Sequence, residues 1–363
     1  MNKIEVDLNA IAHNLSFFKK NIYPETKIIG VVKENAYGHG LVDAARVVWT
    51  SGADILAVER IEEAIDLRVA KVKAPILVLG YVEPGDYHKI VDFDFILSIN
   101  DFEDAYRLSR EARKRNLWSR VDLEIDTGMN RWGVSPFEFL QVYQRILDLE
   151  HIKLVGIHSH FADPLDKKFS KEQINVLQNA LFTIQQSKSP IPMVHMASTD
   201  AILSNPESQF DAIRVGIGLF GYSATQTNGN LQPALEFKTT IAYLRRVGKG
   251  ESVGYNRAFV AKQPKKIAVL PVGYADGYPR SLSGKSKVII GGKKVPVVGD
   301  ICMGTTMVDV TGIDCSIGDE AILIGRGGDD KVYADDLAEL IGTIPYEILS
   351  RLPARVFREY HFK

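Results

Sequence analysis

Short apolar, β-branched runs alternate with amphipathic stretches through the first two thirds of the chain. The runs fall at 27–33, 55–59, 74–82, 95–99, 121–126, 154–160, 193–197 and 212–220. Runs of this length, apolar on both faces, predict parallel strands covered on both sides. Segments between them, such as 101–116 and 136–149, combine helical apolar spacing with a charged opposite face and predict surface helices. Strand and helix repeated eight times predict an α/β fold of the (β/α)8 TIM-barrel type, whose usual size is about 250 residues.

After Tyr222 the texture changes. A polar stretch at 224–230 reads as a linker, and beyond it short strand-like runs (239–247, 267–272, 288–290, 295–298, 307–310, 321–324) are separated by turns such as Gly248-Lys249-Gly250 and Gly291-Gly292-Lys293. A mostly-β C-terminal domain is expected, closed by a short helix near Ala334–Ile341. The division is placed at 1–226 and 227–363, with the half-polar strand at the chain's start a candidate to pair with the C-terminal domain.

The chain has 363 residues, 45% hydrophobic content and a formal net charge of −1. Its basic clusters, Lys262 to Lys266 and Arg245-Arg246, are short and broken, so neither nucleic acid nor a membrane surface is an expected partner. Two cysteines, Cys302 and Cys315, cannot build a disulfide framework, and Cys302 reads as a small buried hydrophobe. No apolar run reaches membrane-spanning length and the start lacks the form of a secretory leader. The expectation is a cytoplasmic protein acting on a small molecule.

In a barrel, chemistry gathers at the C-terminal ends of the strands. Lys33 ends the first run and is followed at once by Glu34-Asn35-Ala36-Tyr37-Gly38-His39-Gly40. Asp126-Thr127-Gly128-Met129-Asn130-Arg131 follows the fifth run, Ser159-His160-Phe161-Ala162 the sixth, and His195-Met196-Ala197-Ser198-Thr199 the seventh. In the eighth, Arg214-Val215-Gly216-Ile217-Gly218 sets an arginine inside an apolar run, where a charge requires a partner. The second domain adds Val253-Gly254-Tyr255-Asn256-Arg257, Val272-Gly273-Tyr274-Ala275-Asp276 and Gly299-Asp300-Ile301-Cys302-Met303-Gly304. Taken singly, each residue has a structural reading too. Lys33 could cap a strand, Arg131 join a loop salt bridge, Tyr255 pack on a strand, His160 sit in the core, and Thr199 cap a helix.

In this order, from Ile4-Glu5-Val6-Asp7-Leu8 to Tyr346-Glu347-Ile348-Leu349, the words resemble the alanine racemase family of pyridoxal-phosphate enzymes over nearly the whole chain. The resemblance implies Lys33 as the Schiff-base lysine and one catalytic base, with Tyr255 from a partner subunit as the other. It implies Arg131 and the Met303 backbone on the substrate carboxylate, and Tyr37, Thr199, Gly216 and Ile217 around the cofactor phosphate. Arg214 would face the pyridine nitrogen and His160 would adjoin the ring. The expected assembly is a head-to-tail homodimer with shared sites, and the expected role is D-alanine supply for peptidoglycan. No metal is called for. The residue types suit the chemistry, because racemisation removes an α-proton from one face and returns it from the other, which needs two tuned bases.

Several positions depart from the family pattern. Glu34 stands where many members have a small residue. Glu124 stands where many have a lysine whose carbamate orients the arginine, and a glutamate can supply the same anionic oxygens. Gly304 replaces a usual aspartate, Asp300 a usual arginine, and Ala354 falls where some members carry a pocket tyrosine. These changes keep serine or another small amino acid open as substrate beside alanine. A cofactor-carrying regulatory protein and a pyridoxal-phosphate decarboxylase are the readings from other classes. The first lacks a β-domain with a Tyr255 word, and the second's glycine-rich phosphate loop and cysteine-aspartate word are missing here.

Overall fold

The computed structural model describes residues 2–225 and 229–362. They form two compact units: Ile11–Glu34 with Leu41–Leu231, and Met1–Ala10 with Asn35–Gly40 and Gln232–Lys363. The expected boundary at 226/227 lies outside the described residues. Strand β1 (Lys3–Asp7) opens the chain and belongs to the second unit.

The first unit is a closed parallel barrel of β2 (Lys27–Val31), β3 (Ile55–Val58), β4 (Ile76–Val78), β5 (Ile96–Ile99), β6 (Ser119–Glu124), β7 (Ile152–His158), β8 (Met193–His195) and β9 (Ala212–Val215). All eight anticipated strands are present. Every residue of β4, β5 and β9 is buried, as strands covered on both faces must be. β9 closes onto β2 with Arg214 opposite Ile29. The helix expected at 101–116 runs Phe102–Lys114, started by the Asp101 carboxylate, which accepts the Asp104 N–H at 2.8 Å, and it buries Ala105, Leu108 and Ala112. That expected at 136–149 runs Phe139–Leu147.

Beyond Lys33 the backbone takes an unusual course. Glu34, Asn35, Ala36 and Tyr37 all have φ between 51° and 55°, a left-handed turn built without glycine. L-residues enter this region at a cost, so surrounding contacts must hold it. Some of those contacts lie within the second unit. Arg358 Nε donates to the Gly38 carbonyl at 2.9 Å, the Tyr37 ring meets Tyr346 edge-on at 5.8 Å, and a Cβ on Gly38 would fall 2.2 Å from the Leu349 carbonyl oxygen.

The remaining strands of the second unit are β10 (Leu235–Thr240), β11 (Tyr243–Val247), β12 (Ser252–Val253), β13 (Phe259–Val260), β14 (Lys265–Leu270), β15 (Lys287–Ile290), β16 (Lys293–Pro296), β17 (Thr306–Asp309), β18 (Glu320–Gly327), β19 (Asp330–Val332) and β20 (Phe357–His361). One sheet has the order β16-β15-β18-β10-β1-β20, with β19 on β18; a second is β11-β14-β17, and β12 pairs with β13. The single strand expected at 239–247 is in fact two. The Ile241 N–H bonds to Asp319 and the Ala242 N–H to Val269, so the chain leaves one sheet and enters the next between β10 and β11. Val247, Val253, Ala261, Ile267, Val298 and Met307 form a core beneath the second sheet. Helix Ala334–Ile341 is present, and Pro345–Ser350 adds another. No helix among the described residues is long and apolar enough to cross a membrane.

Candidate active site

The barrel unit gathers Lys33, Glu124, Arg131, His160, Thr199, Arg214, Gly216 and Ile217 at or just beyond the C-terminal ends of its strands. The Lys33 ammonium is held 2.7 Å from Glu59 Oε2, at the end of the neighbouring strand β3. Beside this pair, Glu34 meets Arg60 at 3.4 Å, which gives the departure at Glu34 a local partner.

Arg214 is buried and finds several partners at once. Its guanidinium donates to the Ser159, His195 and Met196 carbonyls at 2.6, 3.2 and 3.2 Å, and to His195 Nδ1 and His160 Nδ1 at 2.5 and 3.0 Å. Burial lowers its pKa to about 10, with Glu124 and Asp122 opposing the fall, so it stays charged at neutral pH. A guanidinium can only donate, so the two facing ring nitrogens are acceptors and both histidines carry their proton on Nε2. Burial first, and then the charges of Arg214, Arg131, Lys33 and His158, hold the His160 pKa well below its usual value. It is a neutral ring with a fixed tautomer.

Thr199 begins the short helix Thr199–Ser204, which Ser198 precedes. Its hydroxyl oxygen accepts the N–H groups of Gly216 and Gly218 at 3.1 and 3.3 Å, tying that helix to the turn that follows β9. Ile217 is the first residue of that turn.

Arg131 lies in the loop after β6. The loop folds back on its own strand, with the Val134 N–H donating to the Glu124 carbonyl at 2.8 Å and Asp126 Oδ1 accepting the Gly128 and Asn130 N–H groups at 2.9 and 3.0 Å. Arg131 is exposed, and no hydrogen bond or ion pair engages it among the described residues. Glu124 is buried and is not bonded to Arg131; its near partner is His158 Nε2 at 3.4 Å. Burial would raise its carboxyl pKa, but His158, Arg214 and Arg131 together lower it.

Sequence reasoning gave no role to His158 and His195, which stand with Asp122 behind these residues. Asp122 accepts from His158 Nδ1 at 2.8 Å and from His195 Nε2 at 2.7 Å, and the two rings stack with centroids 5.0 Å apart and planes 5° apart. One signal was available: His158 stands two residues before His160, and side chains two apart on a strand share a side.

Tyr255, Met303 and Tyr37 belong to the second unit. Tyr255 is 68% exposed and Met303 63%. Asp300 has a visible task there. Its Oδ2 accepts from Asn256 Nδ2 and from Arg280 at 3.0 Å each, fixing the residue after Tyr255, whose φ is 58°. The Met303 carbonyl accepts the Ala275 N–H at 2.9 Å, so two of the sequence words meet. Cys302 is half-buried rather than buried, and its thiol lies 3.6 Å from the Asp300 carbonyl.

A closed barrel that carries a lysine, a buried arginine and a histidine at its strand ends, followed by a β-rich domain, defines an enzyme of the barrel class working on a small polar substrate. Residues 6–224 match the family model for the alanine racemase N-terminal domain and residues 234–360 that for the C-terminal domain. Alanine racemase from Halothermothrix orenii is 39% identical over 365 residues, covering 99% of this chain and 96% of that protein. Among solved structures, alanine racemase from a D-cycloserine-producing Streptomyces lavendulae superposes with a TM-score of 0.95 at 28% identity, covering 100% of this chain and 97% of the other. That of Bartonella henselae, described with covalently bound pyridoxal phosphate, gives 0.89 at 27% identity and covers 99% of each chain. The chain belongs to the alanine racemase family of isomerases.

Proposed function

We propose that the protein interconverts L- and D-alanine with pyridoxal 5'-phosphate, by a two-base mechanism shared between the subunits of a homodimer, and that it supplies D-alanine for peptidoglycan. The observation that carries this reading is the pairing of β2 with β9, which brings Lys33, two residues beyond the end of β2, to the same end of the barrel as the buried Arg214 of β9. The donor set suits the cofactor: an amine for its aldehyde, a fixed guanidinium for its ring nitrogen, and the Thr199 hydroxyl proton with the backbone N–H of Ile217 for its phosphate, joined by the Gly216 N–H once it exchanges its bond to Thr199 for one to the phosphate. Tyr37 would complete the phosphate site and His160 would adjoin the ring.

When bound, pyridoxal phosphate supplies the electron-withdrawing system that acidifies the substrate α-proton. Lys33 takes or returns that proton on one face, and Tyr255 from a second copy of the chain serves the other. Arg131 and the Met303 backbone N–H hold the substrate carboxylate, fixing which hydrogen each base meets. Arg214 keeps its charge and so would donate a hydrogen bond to the ring nitrogen without giving up the proton, which favours proton return over deeper electron withdrawal. Glu124 stands in for the carbamate as the anion behind Arg131.

The test is a panel of alanine, serine and other small amino acids, scored by chiral analysis with and without added cofactor. Alanine should lead, and borohydride should trap the cofactor on the Lys33 peptide. Label on another lysine would refute the site assignment. Cofactor binding without racemisation would favour a regulatory protein, and amine with carbon dioxide a decarboxylase.

A further inference from the structure

We propose that His158 is held as a doubly protonated imidazolium between Asp122 and Glu124, and that this cation is the positioning residue that sets Glu124 for Arg131. The inference rests on the racemase reading for the role of Arg131, whereas the charge on the ring is argued from its place between two carboxylates. His158 Nδ1 lies 2.8 Å from Asp122 Oδ1, and His158 Nε2 lies 3.4 Å from Glu124 Oε2. An ionised carboxylate only accepts, so Nδ1 brings a proton to Asp122, and the Glu124 carboxylate at ion-pair distance from Nε2 favours a second proton there. The third neighbour, Ser98 Oγ at 3.5 Å from Nε2, can turn its own proton away.

The groups around this ring from every side are consistent with the charge. Asp122 and Glu124 come from β6. His195 stacks on it from β8 and is neutral, because its Nε2–H goes to Asp122 while its Nδ1 accepts from Arg214 of β9. His160, beyond it on the same chain segment, is neutral as well. Two buried anions are thus answered by one imidazolium and the Arg214 guanidinium, which burial tolerates only when the charges are paired.

The backbone makes room for this arrangement. The register of β6 against β7 slips between Val121 and Asp122, which sets Asp122 opposite Gly156. A Cβ at Gly156 would fall 2.4 Å from Asp122 Oδ2 and 2.8 Å from Oδ1, so only glycine leaves the carboxylate its place between the two rings. Burial would lower the His158 pKa, but the Asp122 and Glu124 carboxylates raise it to about 9.

The decisive measurement is nitrogen NMR of the cofactor-loaded enzyme carrying 15N-histidine, with His158→Gln used to assign the signals. At pH 7.5 both His158 nitrogens should show the shifts and attached-proton couplings of an imidazolium, while His195 and His160 each show one bare nitrogen. A neutral His158 ring overturns the proposal. So does a stoichiometric metal ion on the purified enzyme, because the ligand-capable atoms of Asp122, His158 and His195 lie within 4.8 Å of one another and an ion would take the places of the protons. In kinetics, His158→Gln should raise KM for alanine by about tenfold or more while kcat falls less, and Glu124→Gln should add little on top, since the same ion pair is lost either way. An unchanged KM in a folded, loaded His158→Gln enzyme removes the positioning role. Absence of all racemase activity would instead refute the functional reading, and the nitrogen signals would still decide the charge.

Discussion

The pH dependence of stability gives a quantitative test of the buried charges. His158 is raised from 6.5 to about 9 on folding. A histidine whose folded pKa lies above its unfolded one contributes stability that is fully present below 6.5 and is lost as pH rises through about 9. The span corresponds to about 3 kcal/mol for a ring as buried as this one. The companion groups leave that window clear. His195 is lowered to about 4 by burial, so the folded ring is neutral throughout the window, while the unfolded ring, half protonated at pH 6.5 and neutral by pH 8, is common to both proteins, and Asp122 is held well below the carboxylate range by the two histidines that outweigh its burial. Denaturant midpoints at pH 6.5, 8 and 9.5 for the native protein and His158→Gln should therefore converge. The native protein begins about 3–5 kcal/mol ahead, because the variant leaves buried carboxylates without their cation, and it should lose most of that lead by pH 9.5. Parallel curves across the range would refute the reasoning.

Other outcomes follow from the same geometry. Mixing Lys33→Ala and Tyr255→Phe chains should restore part of the activity through hybrid dimers that hold one complete site, and demonstrated subunit exchange without recovery would count against a shared site. Gly156→Ala should lower stability by about 1–3 kcal/mol through forced repacking around Asp122, read as a fall in the melting midpoint; an unchanged midpoint would mean that the strand yields freely. Glu124→Lys should make activity respond to bicarbonate while the parent does not, and a parent stimulated by bicarbonate would show that the glutamate is not the carbamate's substitute. Aspartate should be turned over at least about 100-fold less efficiently than alanine, since its second carboxylate would be added to a barrel end that already carries Glu59 and Glu124; comparable kcat/KM values would contradict this.

The barrel was legible because its strands are continuous apolar runs and its helices keep one charged face, two patterns that local sequence carries in full. The β-rich unit was less so. Strands of two or three residues such as β12, β13 and β19 give no period to read, and the passage from β10 to β11 is apolar throughout, so only long-range pairing with Asp319 and Val269 reveals that the strand ends there. The left-handed turn after Lys33 was illegible for another reason. Glu34 to Tyr37 contain no glycine to announce positive φ, and the conformation is held by contacts with residues more than 300 positions away, such as Arg358. Within the site, Lys33 and Arg214 stood out because a charge at a strand end or inside an apolar run demands an explanation. His158 did not, since a single histidine in a strand has an ordinary core reading until Asp122 and Glu124 are seen on either side of it.

The departures from the family pattern acquire a common logic once the charges are paired. Lys33 answers Glu59, Arg60 answers Glu34, Arg280 and Asn256 answer Asp300, and His158 with Arg214 stands against Asp122 and Glu124. Each of these charges thus comes with a partner drawn from a neighbouring strand or loop, which burial requires of Asp122, Glu124, His158 and Arg214, whereas the exposed pairs at Arg60 and Arg280 are held in solvent. Arg131 is different: within the barrel-end group it is the cation that no hydrogen bond or ion pair engages among the described residues. An exposed guanidinium without a bonded partner is complementary to a carboxylate arriving from solution, which under the proposed function is the substrate's.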